Sequence, residues 1–128
     1  MRTFSCDIET DGIDATKVWC IAVHNINTNQ VITFFDNTLG LFKPWQVSEA
    51  DCLIFHNGIS FDVPILERLL DIDFSDIKIE DTLVMSQLYK PRIEGGHSLD
   101  VWGDRLEFSK GVHTDWSCFS QEMLDYCI

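Results

Sequence analysis

The stretch FSCDIETDG, residues 4–12, decides how this chain is read. Phe4, Cys6 and Ile8 alternate with Ser5, Asp7 and Glu9, and such alternation marks a strand with one apolar and one polar face. The polar face carries two carboxylates. On a strand, residues i and i+2 project from the same face, roughly 7 Å apart along the chain. Unpaired carboxylates there repel and raise each other's pKa unless a cation or water offsets the charge. A solvated edge strand would account equally well for an isolated D-x-E, so the pair alone has little specificity.

Outward from this strand, DGID interrupts the pattern, and KVWCIAVHN (17–25) and QVITFFD (30–36) are β-rich segments separated by the turn-forming INTN. They predict a hairpin and, with the first strand, an antiparallel three-strand meander. LGLFKPWQVSEA (39–50) predicts a short helix, DCLIF (51–55) a brief buried strand and HNGIS (56–60) a loop. FDVPILERLL (61–70) has Ile65, Leu66, Leu69 and Leu70 at helical spacing, with Pro64 in the first turn, where its missing N–H costs nothing. DIKIE (76–80) predicts a strand, and DTLVMSQLY (81–89) a helix capped by Asp81. After the loop KPRIEGG, HSLDVWGDRLEF (97–108) sets Leu99, Trp102 and Leu106 on one helical face. SQEMLDYCI (120–128) predicts a last helix, capped by Ser120, with Met123 and Cys127 one turn apart. Three strands followed by alternating helix and strand imply one mixed-sheet α/β domain over residues 1–128. The last pattern stops in mid-course, so the expectation is a domain cut within its C-terminal helix.

Composition narrows the function. A chain of 128 residues with 45% hydrophobic and 23% charged residues has the apolar supply of a globular protein. No apolar run approaches the roughly 18 residues of a membrane span, and the amino terminus turns acidic before a signal-peptide core could form. An intracellular protein without a membrane partner is expected. Cys6, Cys20, Cys52, Cys118 and Cys127 are odd in number and never spaced as CxxC, which predicts free thiols in a reducing compartment. His24, His56, His97 and His113 form no metal-binding cluster, so zinc is not expected. The formal charge of −12 argues against direct binding of a phosphate backbone. It does not exclude nucleic acid, because carboxylates that hold divalent cations can present positive charge to phosphate.

Two further residues gain meaning only together with the first strand. Asp62 by itself reads as an N-cap for VPILERLL, worth roughly 1 kcal/mol, and Tyr126 by itself as a partly buried aromatic. A strand-borne D-x-E at Asp7 and Glu9, an N-x-x-x-[FY]-D at Asn57 to Asp62, and a late Tyr126 resemble the three motifs of the DEDDy-type 3′-to-5′ exonucleases. FHNGISFDVPIL, IEDTLVMSQL, HSLDVWGDRL and EMLDYCI follow, in order and at similar spacing, the proofreading domain of phage replicative DNA polymerases of the A family.

That resemblance implies a ribonuclease H-like fold and two-metal hydrolysis of a phosphodiester at the 3′ end of single-stranded or frayed DNA, in proofreading for a polymerase domain of the parent protein. Two Mg²⁺ or Mn²⁺ ions about 4 Å apart would activate a water and stabilise the leaving oxyanion, and hard cations prefer carboxylate oxygens. By resemblance Asp7 bridges both ions, Glu9 ligates the one carrying the attacking water, Asp62 holds the other, and Tyr126 orients the water. Thr10 and Ile13 match positions that contact the terminal nucleotide, and Asn57 is a further substrate-side candidate. A phage origin would place the protein in the cytoplasm of a bacterial host. The third motif of the family is Y-x-x-x-D, whose Asp would fall two positions past Ile128. Asp125 points about 100° away from Tyr126, and Asp100, Asp104 and Asp115 are the conceivable surrogates. The expectation is a family-like fold with weak metal binding and slow hydrolysis. An exoribonuclease of the same superfamily and a noncatalytic docking or structural module are the alternatives.

Overall fold

The computed structural model describes residues 1–107, 116 and 119–127. The alternating stretch becomes β1 (Thr3–Thr10), the central strand of a five-stranded sheet. On one side β2 (Val18–Asn25) pairs with it antiparallel, and β3 (Val31–Phe35) pairs antiparallel with β2, which is the expected meander. On the other side β1 runs parallel to β4 (Cys52–Phe55), and β4 runs parallel to β5 (Lys78–Asp81). The order is therefore β3-β2-β1-β4-β5, a mixed open sheet.

Both faces of the sheet are covered, by different chemistry. Phe4, Cys6 and Ile8 of β1 join Ile21, Val23, Phe34, Leu53 and Phe55 in the larger core. A 3₁₀ turn, Asp36–Leu41, leads into α1 (Phe42–Glu49), which brings Phe42 to this core. α2 (Val63–Leu69) adds Ile65 and Leu66. Each fully buried side chain of this size contributes roughly 1.5–3 kcal/mol. Trp45 closes one side, edge-on to Phe4 at 4.9 Å between ring centroids. On the opposite face α5 (Gln121–Cys127) packs Met123, Leu124 and Cys127 against Cys20 and Ala22. Ser120 caps this helix as expected, its Oγ accepting from the Met123 N–H at 3.1 Å. Ala22 and Cys20 are the cross-strand partners of Asp7 and Glu9, so α5 covers the carboxylate face of β1. A bulge between Glu9 and Thr10 breaks the alternation there, and both residues are buried.

α3 (Thr82–Tyr89) begins as expected, with the Asp81 carboxylate accepting from the Leu83 N–H at 2.9 Å. α4 (Leu99–Arg105) is capped by Ser98. The face shared by Leu99, Trp102 and Leu106 does not reach the core; Leu99 and Leu106 stay 46% and 70% exposed on a groove facing α3. Cys6, Cys20, Cys52 and Cys127 are free and buried, while Cys118, His113 and Asp115 lie outside the described residues. Among the described residues no helix is long and apolar enough to cross a membrane.

One element departs from expectation. HNGIS is not simply a loop, because a turn of π-helix, Gly58–Asp62, runs without a break into α2. Asn57 opens it in the left-handed region at φ 62°, a conformation Asn tolerates better than most residues. Gly58 then passes so close to Phe55 that an added Cβ would stand 2.2 Å from the Phe55 Cβ. Gly58→Ala is therefore expected to destabilise the fold by about 1–3 kcal/mol through overpacking. Urea denaturation checks it, and an unchanged midpoint would mean that Phe55 yields freely.

Candidate functional site

The sheet topology leaves an opening beside β1. Parallel pairing with β4 covers only Thr3 to Ser5, so the flank of β1 from Asp7 onward has no strand beside it there. Asp7 is exposed, Glu9 is 7% exposed, and Cys127 reaches them from α5. One ligand atom from each of these three residues lies within 4.8 Å of the other two. The Cys127 thiol donates to the Asp7 backbone carbonyl at 3.5 Å. Its pKa is raised, chiefly by a hydrogen bond with Cys20, then by burial and by the charge of Asp7. The thiol is thus held neutral, and the hard oxygen donors of the cluster are the two carboxylates.

Asp62 supplies a third carboxylate to this opening, and its reading as an N-cap is corrected. Its backbone is helical and its side chain makes no capping hydrogen bond, because the π-turn already precedes α2 and the Val63 N–H is taken by the Gly58 carbonyl. The carboxyl instead turns into the protein, 5% exposed, where the Ile8 N–H on the uncovered flank of β1 hydrogen-bonds to it. Burial first, and the charge of Asp7 second, push its pKa up to about 8, against partial relief from the backbone N–H groups of Asp62 and Ile8. A buried carboxyl raised by a neighbouring carboxylate is a group that a cation would relieve. Asp62 is outside the cluster of Asp7, Glu9 and Cys127 but close enough for its carboxyl to feel the Asp7 charge, and the oxygen donors of the three acids are of the type a hard divalent cation takes.

Asp81 fixes that geometry from behind. Read from sequence only as a helix cap, it accepts from the Asn57 N–H at 2.8 Å and the Ile59 N–H at 3.1 Å in addition to Leu83. Burial acts to raise its pKa, but these backbone donors outweigh it and hold the carboxylate below its ordinary value. The start of the π-turn is thereby tied to the end of β5.

The other expected residues fall around this centre. Tyr126 immediately precedes Cys127 on α5, its ring edge-on to Trp116 at 5.7 Å. The Thr10 hydroxyl donates to the Gly12 carbonyl at 2.9 Å and shapes the turn after β1. Ile13, next along, is 89% exposed. Asn57 takes part through its backbone, donating to Asp81 and accepting from Phe61. Asp100, Asp104 and Asp125 are exposed, and none belongs to the metal-capable cluster found among the described residues. Asp115 lies outside those residues. Cys127 was readable only as a core position one turn from Met123, and nothing in its spacing marked it as a neighbour of Asp7.

Comparisons with known proteins agree with this architecture. The profile of the RNase_H superfamily matches residues 5–103. The chain is similar to the DNA-directed DNA polymerase of Escherichia phage T7, 25% identical over an alignment covering 94% of this chain and 24% of the relative. It is similar to that of Enterobacteria phage T3 at 24% identity, with the same 94% and 24% coverage. The chain thus spans about a quarter of the length of these curated relatives. Among solved structures, Brucella melitensis NrnC bound to pGG superposes with a TM-score of 0.65 at 17% identity, covering 99% of this chain and 65% of that one. NrnC with bound Mg²⁺ gives 0.64 at 17% identity, with the same 99% and 65% coverage. The family B DNA polymerase of the archaeon Pyrobaculum calidifontis gives 0.61 at 16% identity, covering 83% and 18%. These likenesses show a common fold.

The raised Asp62 pKa sets a pH dependence in the absence of cations. Its value of about 8 in the folded chain against an ordinary 3.8 means that folding takes up a proton between these limits. Stability is highest below the ordinary value and declines as pH rises toward 8, by up to about 1.4 kcal/mol per unit. Asp62→Asn mimics the protonated group, so it is expected to be near neutral at about pH 3 and clearly stabilising at about pH 8 in EDTA. Urea midpoints of the two proteins at both pH values check this; an equal difference at both would remove Asp62 as the cause.

Proposed function

The chain belongs to the RNase_H superfamily, and we propose that it acts there as a metal-dependent 3′-to-5′ exonuclease, trimming single-stranded or frayed DNA ends as the proofreading part of a polymerase. One observation carries the reading: Asp7 and Glu9 come within ligand distance of one another where β1 has no strand beside it, and a buried Asp62 bonded to the Ile8 N–H feels the Asp7 charge. A structural role gives no reason to bury a carboxyl beside another carboxylate, since the arrangement destabilises the empty fold. The two phage polymerases support the proofreading context, and by the same reading the enzyme works inside a bacterial host cell.

Asp7, Glu9 and Asp62 would hold the two divalent cations, Mg²⁺ or Mn²⁺, that supply Lewis acidity toward the scissile phosphodiester when bound. The chain's own residues do the remainder. Tyr126 orients the attacking water through its hydroxyl. Ile13, with a large apolar side chain open to solvent beside the end of β1, packs on the terminal nucleotide, and Thr10 holds the turn that presents it. Asn57 positions Asp62 from the head of the π-turn.

Single-stranded DNA labelled at its 5′ end should be shortened stepwise with Mn²⁺ and remain intact in EDTA. Asp7→Asn should slow the reaction on the order of 100-fold or more, and Tyr126→Phe should lower kcat with little change in KM. Internal cuts, or equal rates for Asp7→Asn and the parent, would sink the reading. An RNA oligomer of the same sequence, cut faster than the DNA, would instead make the chain an exoribonuclease.

A further inference from the structure

Cys127 is a member of the cluster at β1 that the chemistry above leaves unused. One ligand atom each from Asp7, Glu9 and Cys127 lies within 4.8 Å of the other two. The carboxylates come from β1 and the thiol from α5, with 120 residues between Asp7 and Cys127 in the chain. Such a separation hides the cluster from any reading of Cys or His spacing.

The thiol is held in place. Cys127 packs with Met123 and Leu124 against Cys20 and Ala22, the cross-strand partners of Glu9 and Asp7. Its Sγ donates to the Asp7 carbonyl at 3.5 Å, and a further hydrogen bond joins it to Cys20. Cys127 and Glu9 are 6% and 7% exposed, while Asp7 is open to solvent. An ion therefore has a way in past Asp7 and two buried donors at the end of it.

Sulfur widens the choice of ion. Mg²⁺ demands an octahedral shell of oxygens, so it engages the carboxylates and leaves the thiol protonated. A thiophilic ion such as Zn²⁺ gains a bond to sulfur as well, and thiolate ligands select for it. In a tetrahedral complex, Zn–S of about 2.3 Å and Zn–O of about 2.1 Å set the three ligand atoms roughly 3.4–3.6 Å apart. The side chains need to close by no more than about 1.4 Å to reach that spacing. A water would fill the fourth position.

We infer that Asp7, Glu9 and Cys127 form a site for a thiophilic divalent cation of the Zn²⁺ class, which competes with Mg²⁺ or Mn²⁺ for the two carboxylates and holds the nuclease inactive. As the metal–sulfur bond forms, the thiol proton passes to solvent and no electron is transferred. Three anionic donors then outweigh the charge of the ion, which leaves it a poor Lewis acid. The binding site stands on the geometry alone, and its inhibitory effect rests on the nuclease reading.

The test titrates the full chain with Cd²⁺ in a phosphine reductant, without nucleic acid, and follows the ultraviolet band of cadmium–thiolate charge transfer. A single equivalent should bring the band to its plateau. Cys127→Ser should lose it, and Asp7→Asn or Glu9→Gln should weaken binding by at least about tenfold, the loss that removing even a hydrogen-bond partner of a ligand causes. Excess Mg²⁺ should move the titration to higher Cd²⁺. Because Cys127 is buried, a second readout guards against a variant that fails to fold: Cd²⁺ should raise the urea midpoint of the parent chain by more than that of Cys127→Ala. Absence of the band, its survival in Cys127→Ser or equal midpoint shifts would overturn the site. So would a band indifferent to both carboxylate variants, which would place the ion on Cys127 and Cys20 alone. Shortening of DNA with Mn²⁺ that added Zn²⁺ leaves unchanged would overturn the inhibition. Cd²⁺ bound as expected by a chain that never shortens DNA would remove the nuclease reading and leave the site standing.

Discussion

The hydrogen bonds of the Asp81 carboxylate hold the working end of this molecule together. A carboxylate at the last position of β5 accepts from the N–H groups of Asn57, Ile59 and Leu83, and so joins the head of the π-turn to the start of α3. Hydrogen bonds to a charged group contribute roughly 1.5–3 kcal/mol each. Their directional effect matters more here. The left-handed Asn57 and the crowded Gly58 could relax in several ways were the turn not fixed at its head. Fixed there, the turn delivers Asp62 at its far end to the uncovered flank of β1. Asp81 keeps its charge because backbone donors surround it; Asp62, buried with fewer donors and beside Asp7, is pushed toward neutrality. Two aspartates close in the fold are thus set to opposite tasks by how many N–H groups face them.

The strands and most helices could be read from the sequence because their signals are local. Alternation in FSCDIE, the turn INTN and the aliphatic spacing of VPILERLL each involve side chains that meet within a few residues. Asp81 was read correctly as a cap, but its longer reach to Asn57 and Ile59 depends on β4 and β5 lying side by side, which no local spacing encodes. Asp62 shows the same limit from the other direction. An Asp before V-P-I-L has the chemistry of an N-cap, and only the π-turn ahead of α2, which engages the Val63 N–H in advance, removes that role. For Cys127 the sequence pointed to a core thiol, which it is, while its approach to Asp7 follows from α5 crossing the carboxylate face 120 residues later in the chain.

How α4 packs was not legible for a related reason. Leu99, Trp102 and Leu106 share a helical face, and a shared apolar face ordinarily means burial. Here the segment from Lys90 to Ser98 is held by Arg105 and His97 through the carbonyls of Gly96 and Pro91, so α4 stands off from α3 and leaves the groove. The polar network that spaces the two helices could not be inferred from periodicity, because its side chains meet partners on other segments, among them the backbone carbonyls of Pro91, Glu94 and Gly96.

The acidity of the chain and the proposed nucleic-acid substrate are reconciled by where the charge sits. Most of the acidic excess is surface charge that only raises the general repulsion of phosphate, and it is screened within about 8 Å at physiological salt. Glu9 and Asp62 differ because burial prevents screening, and Asp62, beside the exposed Asp7, is therefore pushed toward its neutral form in the absence of a counter-charge. A ligand that binds only the folded chain stabilises it by mass action. Cations gathered at Asp7, Glu9 and Asp62 would therefore act twice: they would neutralise the one place where the fold opposes itself, and they would reverse the sign of the surface that meets the phosphodiester. On the proposed reading, the charge conflict that makes a buried Asp62 costly beside Asp7 is the same quantity that would make these positions favour a cation.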